Sequence, residues 1–439
     1  MKYDLEHLDK FTPSSAMMLP AFNLVTRATD FFDNEAIRQD MLQDSLKELL
    51  GASSDWPVRI GGSWGLEFLR RAWTEGWGAE QDGVWFKGRF ACVILALKNE
   101  PGLDGDPFLQ SLAAYGNVIA QQEVSSSFPT SDAVANLHLQ YSNLIKRTNL
   151  PVVLLTMAGN CLTVSAAVFT NAVYADKLLS IDLYLGAHGS ENVVRVARVF
   201  MAIQKCVERL CTLYGKLESE ERPRVDPSVM YPNPTADPPD AEIPQLRFFG
   251  KVDRVVGIVI PTVDQDNENH GIYLATYDSR TVLVKFAAVY NEGAHRLLAS
   301  HGLAPTLHHC VRVIGDMYMV VMEYLADARP LPFFFPPSRL LRSPEIPLIR
   351  ESLTKALELL HGKGLVFGDL RSLNVLYSPG DNRIYLVDFD RAGRDGVDRY
   401  SACVNPEVGI GIGNWEILKK DHDNVNFERI MESIDKQCR

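Results

Sequence analysis

Apolar positions change period several times along the chain, and each change marks an element. From Ile37 to Leu50 they recur at steps of three and four, as on one helix face, and residues 1–55 read as helical. Residues 55–78 continue with one or two more helices carrying Trp64, Leu66, Phe68 and Leu69. The run Cys92-Val93-Ile94-Leu95-Ala96-Leu97 is unbroken, the pattern of a strand buried on both faces. A polar turn follows, and Asp106-Pro107 offers a cap and a first-turn proline for a helix ending near residue 122. Residues 131–147 read as a helix; 151–157, 162–169 and 178–185 read as strands, with Ala158-Gly159-Asn160 turning between the first two. Val193, Val196, Phe200, Ile203, Val207, Leu210 and Leu213 then stripe a long amphipathic helix over 191–217.

Residues 218–245 hold seven of the chain's 24 prolines. Such a stretch cannot be helical and is semi-extended, so a domain boundary is expected there. Beyond it, residues 255–260, 271–277 and 281–286 read as the first three strands of a small lobe. Residues 317–321 read as a further strand, running into Met322-Glu323-Tyr324-Leu325. Ser343 and Pro344 cap a helix reaching residue 362, with Ile349, Leu353, Ala356, Leu357 and Leu360 as its buried stripe. Residues 424–434 offer one last helix, and Asp421-His422-Asp423 before it reads as a solvated helix start. Gly409–Gly413 reads as a flexible connector and the proline- and phenylalanine-rich 330–337 as packing between lobes.

Candidate chemistry concentrates in residues 364–393. Asp369 is followed five positions later by Asn374; two apolar runs then flank the turn 378–382, and Asp388 ends the second. A hairpin of this length returns Asp388 towards Asn374. Phosphoryl transfer needs a carboxylate facing the attacking hydroxyl and oxygen ligands that hold Mg²⁺ on nucleotide phosphates. Order and spacing here match that need.

The segment resembles the protein-kinase superfamily, and within it the small atypical branch with His-Gly-Asp in the catalytic loop, as in phosphotransferases acting on antibiotics or lipopolysaccharide. The whole chain looks like fungal proteins of the crinkler-associated type, which join a degenerate nuclease-like domain to a kinase-like one. The resemblance implies that Asp369 orients an acceptor hydroxyl, that Asn374 and Asp388 bind Mg²⁺, and that Lys285, on the third strand, binds ATP phosphates. Glu292, seven residues on, is the implied carboxylate that positions Lys285, and Glu323 lies where a hinge contacts adenine through backbone groups. The chain departs from the pattern at Phe367, which replaces the motif's histidine, at Asp390, which replaces the glycine of Asp-Phe-Gly, and in residues 261–270, which form no glycine-rich phosphate loop.

Residues 83–122 resemble the core of PD-(D/E)XK nuclease-like domains. Lys98 fits that family's lysine, Gln110 its helix glutamine, and Asp82 its first acid. The second acid position is Ala96, and Glu100 could substitute only with shifted strand geometry. One metal ligand is thus missing, and lost nuclease chemistry is expected.

Composition narrows the partners. Net charge is −11 and acidic residues exceed basic ones in both halves, so nucleic acid is not an expected partner. The seven cysteines include no Cys-x-x-Cys pair, which argues against zinc and a disulfide framework and for a reducing compartment. Cys206 and Cys211 read as core thiols. The first residues lack a signal-peptide core and no run reaches membrane-spanning length, so an intracellular, cytoplasmic or nuclear protein is expected, with no membrane partner. The expected fold is α+β in two domains: a nuclease-like mixed sheet flanked by helices over 1–218, a linker at 219–245, and a reduced bilobal kinase-like fold over 246–439. Expected ligands are ATP, Mg²⁺ and a hydroxyl acceptor on a protein or small molecule. The alternatives are a pseudokinase scaffold and, more distantly, a nuclease.

Overall fold

The computed structural model describes residues 1–51, 58–60, 83–87, 90–99, 105–121, 148–169, 173–186, 189–219, 227–253, 257–259, 271–334, 345–402 and 412–437. Several expectations lie outside these residues: the helices at 55–78 and 131–147, the acids Asp82 and Glu100, the caps Ser343 and Pro344, the connection 261–270 and most of the 409–413 glycine segment. The protein is α+β and forms two compact units that divide at Pro232/Asn233. Among the described residues no helix is long and apolar enough to cross a membrane.

The first unit opens with helices α1 (Lys2–Glu6), α2 (Ser15–Arg27) and α3 (Glu35–Leu49). Asn34 caps α3 by accepting from the Ile37 amide at 3.0 Å. Its sheet contains β1 (Val58–Ile60), β2 (Gly83–Lys87), β3 (Phe90–Lys98), β4 (Val152–Ala158), β5 (Cys161–Phe169) and β6 (Val173–Asp182), in that spatial order. Pairing is antiparallel except between β3 and β4, which are joined by a crossover carrying α4 (Pro107–Gln121). Every residue of β3 is buried, as its unbroken apolar run requires. Helix α5 (Gly189–Ser219) buries Val193, Val196, Phe200, Ile203, Val207 and Leu210 in the same core; Leu213 at the stripe's end is exposed.

The second unit begins inside the proline-rich stretch. Thr235, Ala236 and Asp237 bond to residues 312–314, so this part of the expected linker belongs to a folded body. Its large sheet, ordered β11-β12-β10-β9-β7-β8, consists of β7 (Arg247–Asp253), β8 (Gly257–Val259), β9 (Ile272–Tyr277), β10 (Arg280–Ala287), β11 (Leu307–Val313) and β12 (Met317–Glu323). Asp278 and Ser279 have φ of 47° and 62°, the positive pair that a two-residue type I′ hairpin needs between β9 and β10. Helix α6 (Glu292–Ala299) follows β10 directly.

Helix α7 (Glu345–Gly362) buries Ile349, Leu353, Ala356, Leu357 and Leu360, the stripe expected from sequence. Around it lie β13 (Arg329–Pro330), β14 (Leu365–Val366), β15 (Val375–Ser378), β16 (Arg383–Leu386), β17 (Gly393–Arg394) and α8 (Lys420–Gln437). One apolar core joins α6, α7, α8 and the β15–β16 hairpin through Leu298, Leu353, Leu386 and Ile434.

Candidate active site

The loop between β14 and β15 is held by a buried acid. Asp423, on the first turn of α8, is fully buried and accepts from the backbone amides of Phe367 at 2.7 Å and Gly368 at 3.0 Å. Its Oδ2 also lies 3.0 Å from His361 Nε2. The solvated helix start expected at 421–423 is therefore corrected: two buried N–H groups need an acceptor, and Asp423 supplies it. Gly368 has φ +77°, and a Cβ there would stand 2.5 Å from the Arg391 carbonyl oxygen. Only glycine lets this loop approach the segment after Asp388 so closely.

Phe367 is fully buried and packs edge-on against Phe389, with ring centroids 5.4 Å apart. Phe389 stacks on His295 of α6 at 4.6 Å. Since the Pro305 carbonyl can only accept, His295 Nε2 donates to it at 2.8 Å, and Nδ1 accepts from the Tyr290 hydroxyl at 2.6 Å. Burial pushes His295 down to about 4, so this ring is a neutral packing element. Phe367 thus supports the loop from behind without a polar group.

Asp369 and Asn374 meet on the loop. Asn374 Nδ2 donates to the Asp369 carbonyl at 2.9 Å and to Asp369 Oδ2 at 3.0 Å. Asp369 Oδ1 is buried without a hydrogen bond, with Arg371 Nε at 3.4 Å as its ionic neighbour. Burial pushes the Asp369 carboxyl up to about 6; the Asp388 charge adds to this, while Arg371 opposes it.

The hairpin then brings Asp388 alongside. Val375 pairs with Leu386, and the Val387 amide bonds the Asn374 carbonyl at 3.0 Å, so Asp388 follows the residue opposite Asn374. Asp388 adopts φ 75° and ψ 67°, a left-handed conformation that a non-glycine residue takes at a cost of roughly 1–2 kcal/mol. Lys285, paired with Val320 of β12 and Ile272 of β9, reaches across from the middle of the large sheet. Its Nζ lies 2.6 Å from Asp388 Oδ1 and 2.6 Å from Asp390 Oδ1. Burial raises the Asp390 carboxyl above its ordinary range, against the pull of Lys285.

One expected site residue lies elsewhere, and a second has a partner that was not expected. Glu292 does not pair with Lys285: it is the first residue of α6, half-exposed, and accepts from Arg296 Nε one turn on at 2.7 Å. Glu323 is engaged by Thr306, which donates to its carboxylate from N at 3.1 Å and Oγ1 at 2.8 Å and accepts from its amide at 2.9 Å. Its N–H and its Oε2 are thus engaged by Thr306. Asp423 and the lysine contact of Asp390 were missed from sequence, although Asp390 stood out as an acid where the pattern wants glycine.

No protein-family model matches the sequence. No curated protein matches it. Among solved structures, the kinase PK-1 of the Cydia pomonella granulovirus is similar to this chain over 43% of its length and 67% of the viral chain, at 18% identity and a TM-score of 0.33. That distant likeness shows neither activity nor substrate.

Of the residues expected from the nuclease resemblance, Asp82 and Glu100 lie outside the described residues, while Lys98, Ala96 and Gln110 are described. Lys98 Nζ pairs with Glu35 of α3 at 3.0 Å, a carboxylate that sequence reading did not consider. Arg38 of α3 bonds the carbonyls of Asn99 and Gly159 and so ties α3 to the end of β3. Ala96 is buried and pairs with Thr156 of β4, and Gln110 lies on α4. Among the described residues no group of three His, Cys, Asp or Glu is placed to hold a metal ion.

Proposed function

We propose that the second unit is an ATP-dependent phosphotransferase of reduced kinase-like fold, acting on a hydroxyl of a protein or small molecule. The observation that carries this reading is the convergence on Lys285: its amine meets Asp388 and Asp390 at 2.6 Å each. The Asp369–Asn374 pair sits one hairpin register away.

The donor set fits Mg²⁺ brought in with a nucleotide. Magnesium keeps waters and substrate phosphates and takes only one or two protein carboxylates, so a dedicated cage of three acids is not required. Asp388, with the Asn374 amide, would hold the ion, and Lys285 would bind phosphate oxygens as a point charge. Bound Mg²⁺ would neutralise charge developing on the phosphates. Asp369 would orient the acceptor hydroxyl and take its proton at Oδ1, the oxygen that carries no hydrogen bond. Its carboxyl, raised to about 6, is ionised at neutral pH and protonates as pH falls through that value, so transfer is expected to fade below about pH 6. Incubating wild type and Asp388→Ala with γ-labelled ATP, a panel of sugar acceptors and the protein itself tests the reading. Label transfer by wild type and none by the variant is expected; equal transfer by both would sink it.

A second reading, a pseudokinase scaffold, is favoured by one observation: Lys285 lacks the Glu292 partner of an active kinase, since Glu292 is bound to Arg296. Thermal unfolding with and without Mg²⁺-ATP separates the two, because a ligand of the folded state raises its apparent stability. No shift at millimolar ATP favours the scaffold. The first unit we read as a nuclease-like fold without its chemistry. Plasmid cleavage that disappears in Lys98→Ala would overturn that.

A further inference from the structure

We propose that Asp390, rather than Glu292, is the carboxylate that positions Lys285 for a nucleotide phosphate. This deepens the nucleotide-site reading above and rests on it.

Lys285 has two counter-ions. Asp388 and Asp390 each bring an Oδ1 to 2.6 Å of Nζ, on a lysine side chain only 11% exposed. A cation there needs a partner, because burial penalises an isolated charge. In a loaded nucleotide site Asp388 would also hold the divalent ion. A carboxylate bound to metal is a weaker counter-ion for an ammonium, so Lys285 needs a second acid to stay in place. Asp390 is already there.

Glu292 cannot serve without first giving up a pair. Its carboxylate is taken by Arg296, four residues on in the same helix. It also begins that helix, where the amide dipoles favour an acid. The sequence order of lysine and glutamate is that of a kinase, yet the partnership has moved.

The helix itself is fastened to the segment that bears Asp390. The Asn291 amide donates to the Phe389 carbonyl at 3.1 Å, and Asn291 Nδ2 donates to the Ala392 carbonyl at 3.0 Å. The same asparagine caps α6 by accepting from Ala294 N at 2.9 Å. His295 stacks on Phe389. Residues 388–392 therefore hold both the lysine and the helix. In an arrangement where a helix-borne glutamate positions the lysine, movement of that helix gates nucleotide binding. Here the lysine's contact lies on the segment to which the helix is fastened, so helix and lysine are coupled through residues 388–392. Asp390 acts through Lys285 and is a positioning residue.

Two measurements on the full-length protein test this. The first needs no nucleotide: reductive methylation with formaldehyde and dimethylamine-borane at fixed pH, read lysine by lysine by mass spectrometry. Lys285 is expected to label several-fold faster in Asp390→Asn than in wild type, with Lys355 and Lys363 as internal references, and at the wild-type rate in Glu292→Gln. Faster labelling in Glu292→Gln with no change in Asp390→Asn would overturn the proposal. The second is calorimetric titration with ATP and Mg²⁺. Asp390→Asn should weaken binding roughly tenfold or more, the scale of one charge-assisted contact, with Asp390→Glu recovering most of it and Glu292→Gln within about twofold of wild type. Where turnover is measurable, KM for ATP should rise more than kcat falls. Wild type that binds no ATP overturns the nucleotide-site reading, while the labelling still decides which acid holds Lys285.

Discussion

Replacing Asp369 by asparagine should remove the carboxylate proposed for catalysis while changing stability by an amount that can be worked from the site. Burial raises the Asp369 carboxyl from an ordinary 3.8 to about 6. Two pKa units correspond to about 3 kcal/mol between protonation states. The sign follows from proton binding. Between those two values the folded protein holds a proton that the unfolded chain has released. The stabilising contribution is therefore fully present below pH 3.8, is lost as pH rises through about 6, and is absent at pH 8. An asparagine side chain at this position would have no such slope. It keeps an oxygen for Asn374 Nδ2 and avoids burying a charge, so Asp369→Asn should be the more stable protein at pH 8 and lose that advantage near pH 4. For a unit of this size about 3 kcal/mol moves the unfolding midpoint by roughly 6–12 °C. Scanning calorimetry of the full chain at pH 8 and pH 5, following the transition that responds to the substitution, makes the comparison. A variant less stable than wild type at pH 8, by the same amount at both pH values, would refute the reasoning. It would mean that Arg371 and Asn374 stabilise the carboxylate more than burial penalises it. The same substitution should abolish phosphate transfer and leave ATP binding nearly intact.

The clamp beneath the loop gives two further predictions. Asp423→Ala strands the buried amides of Phe367 and Gly368 and should cost roughly 3–5 kcal/mol; chemical denaturation measures it, and fast hydrogen exchange at those two amides localises it. Gly368→Ala should cost at least about 2 kcal/mol, because a left-handed φ is combined with a backbone clash. Gly368→Asn, although tolerant of the dihedral, should be no better, since the clash is with the Arg391 carbonyl oxygen; a stable variant would show that the loop can shift.

Legibility in the sequence followed the strength of the local pattern. Strand β3 and helix α5 were readable because each shows one uniform period over nine or more residues. The loop and hairpin were readable because spacing alone places Asp388 after the residue opposite Asn374. Strands β7 and β11 were missed: RFFGKVD and LHHCVRV mix charge, glycine and histidine, and most of their side chains are only partly buried. Their pairing is decided by neighbouring strands, which a local window does not contain. Three side-chain partnerships were equally hidden. Glu292 turned to Arg296, Glu323 to Thr306, and Asp423 inward, because each was decided by a partner that sequence order does not reveal. Lys98 likewise found Glu35, 63 positions away in the chain.

The central claim is that Lys285, Asp388 and Asn374 form a site for a magnesium-bound nucleotide. Calorimetric titration of the full-length protein with ATP, with and without Mg²⁺ and in wild type and Asp388→Ala, tests it most directly. Saturable binding to wild type that requires Mg²⁺ and disappears in the variant is the predicted result. No heat from wild type at millimolar ATP, or binding that ignores both the metal and the substitution, would contradict it.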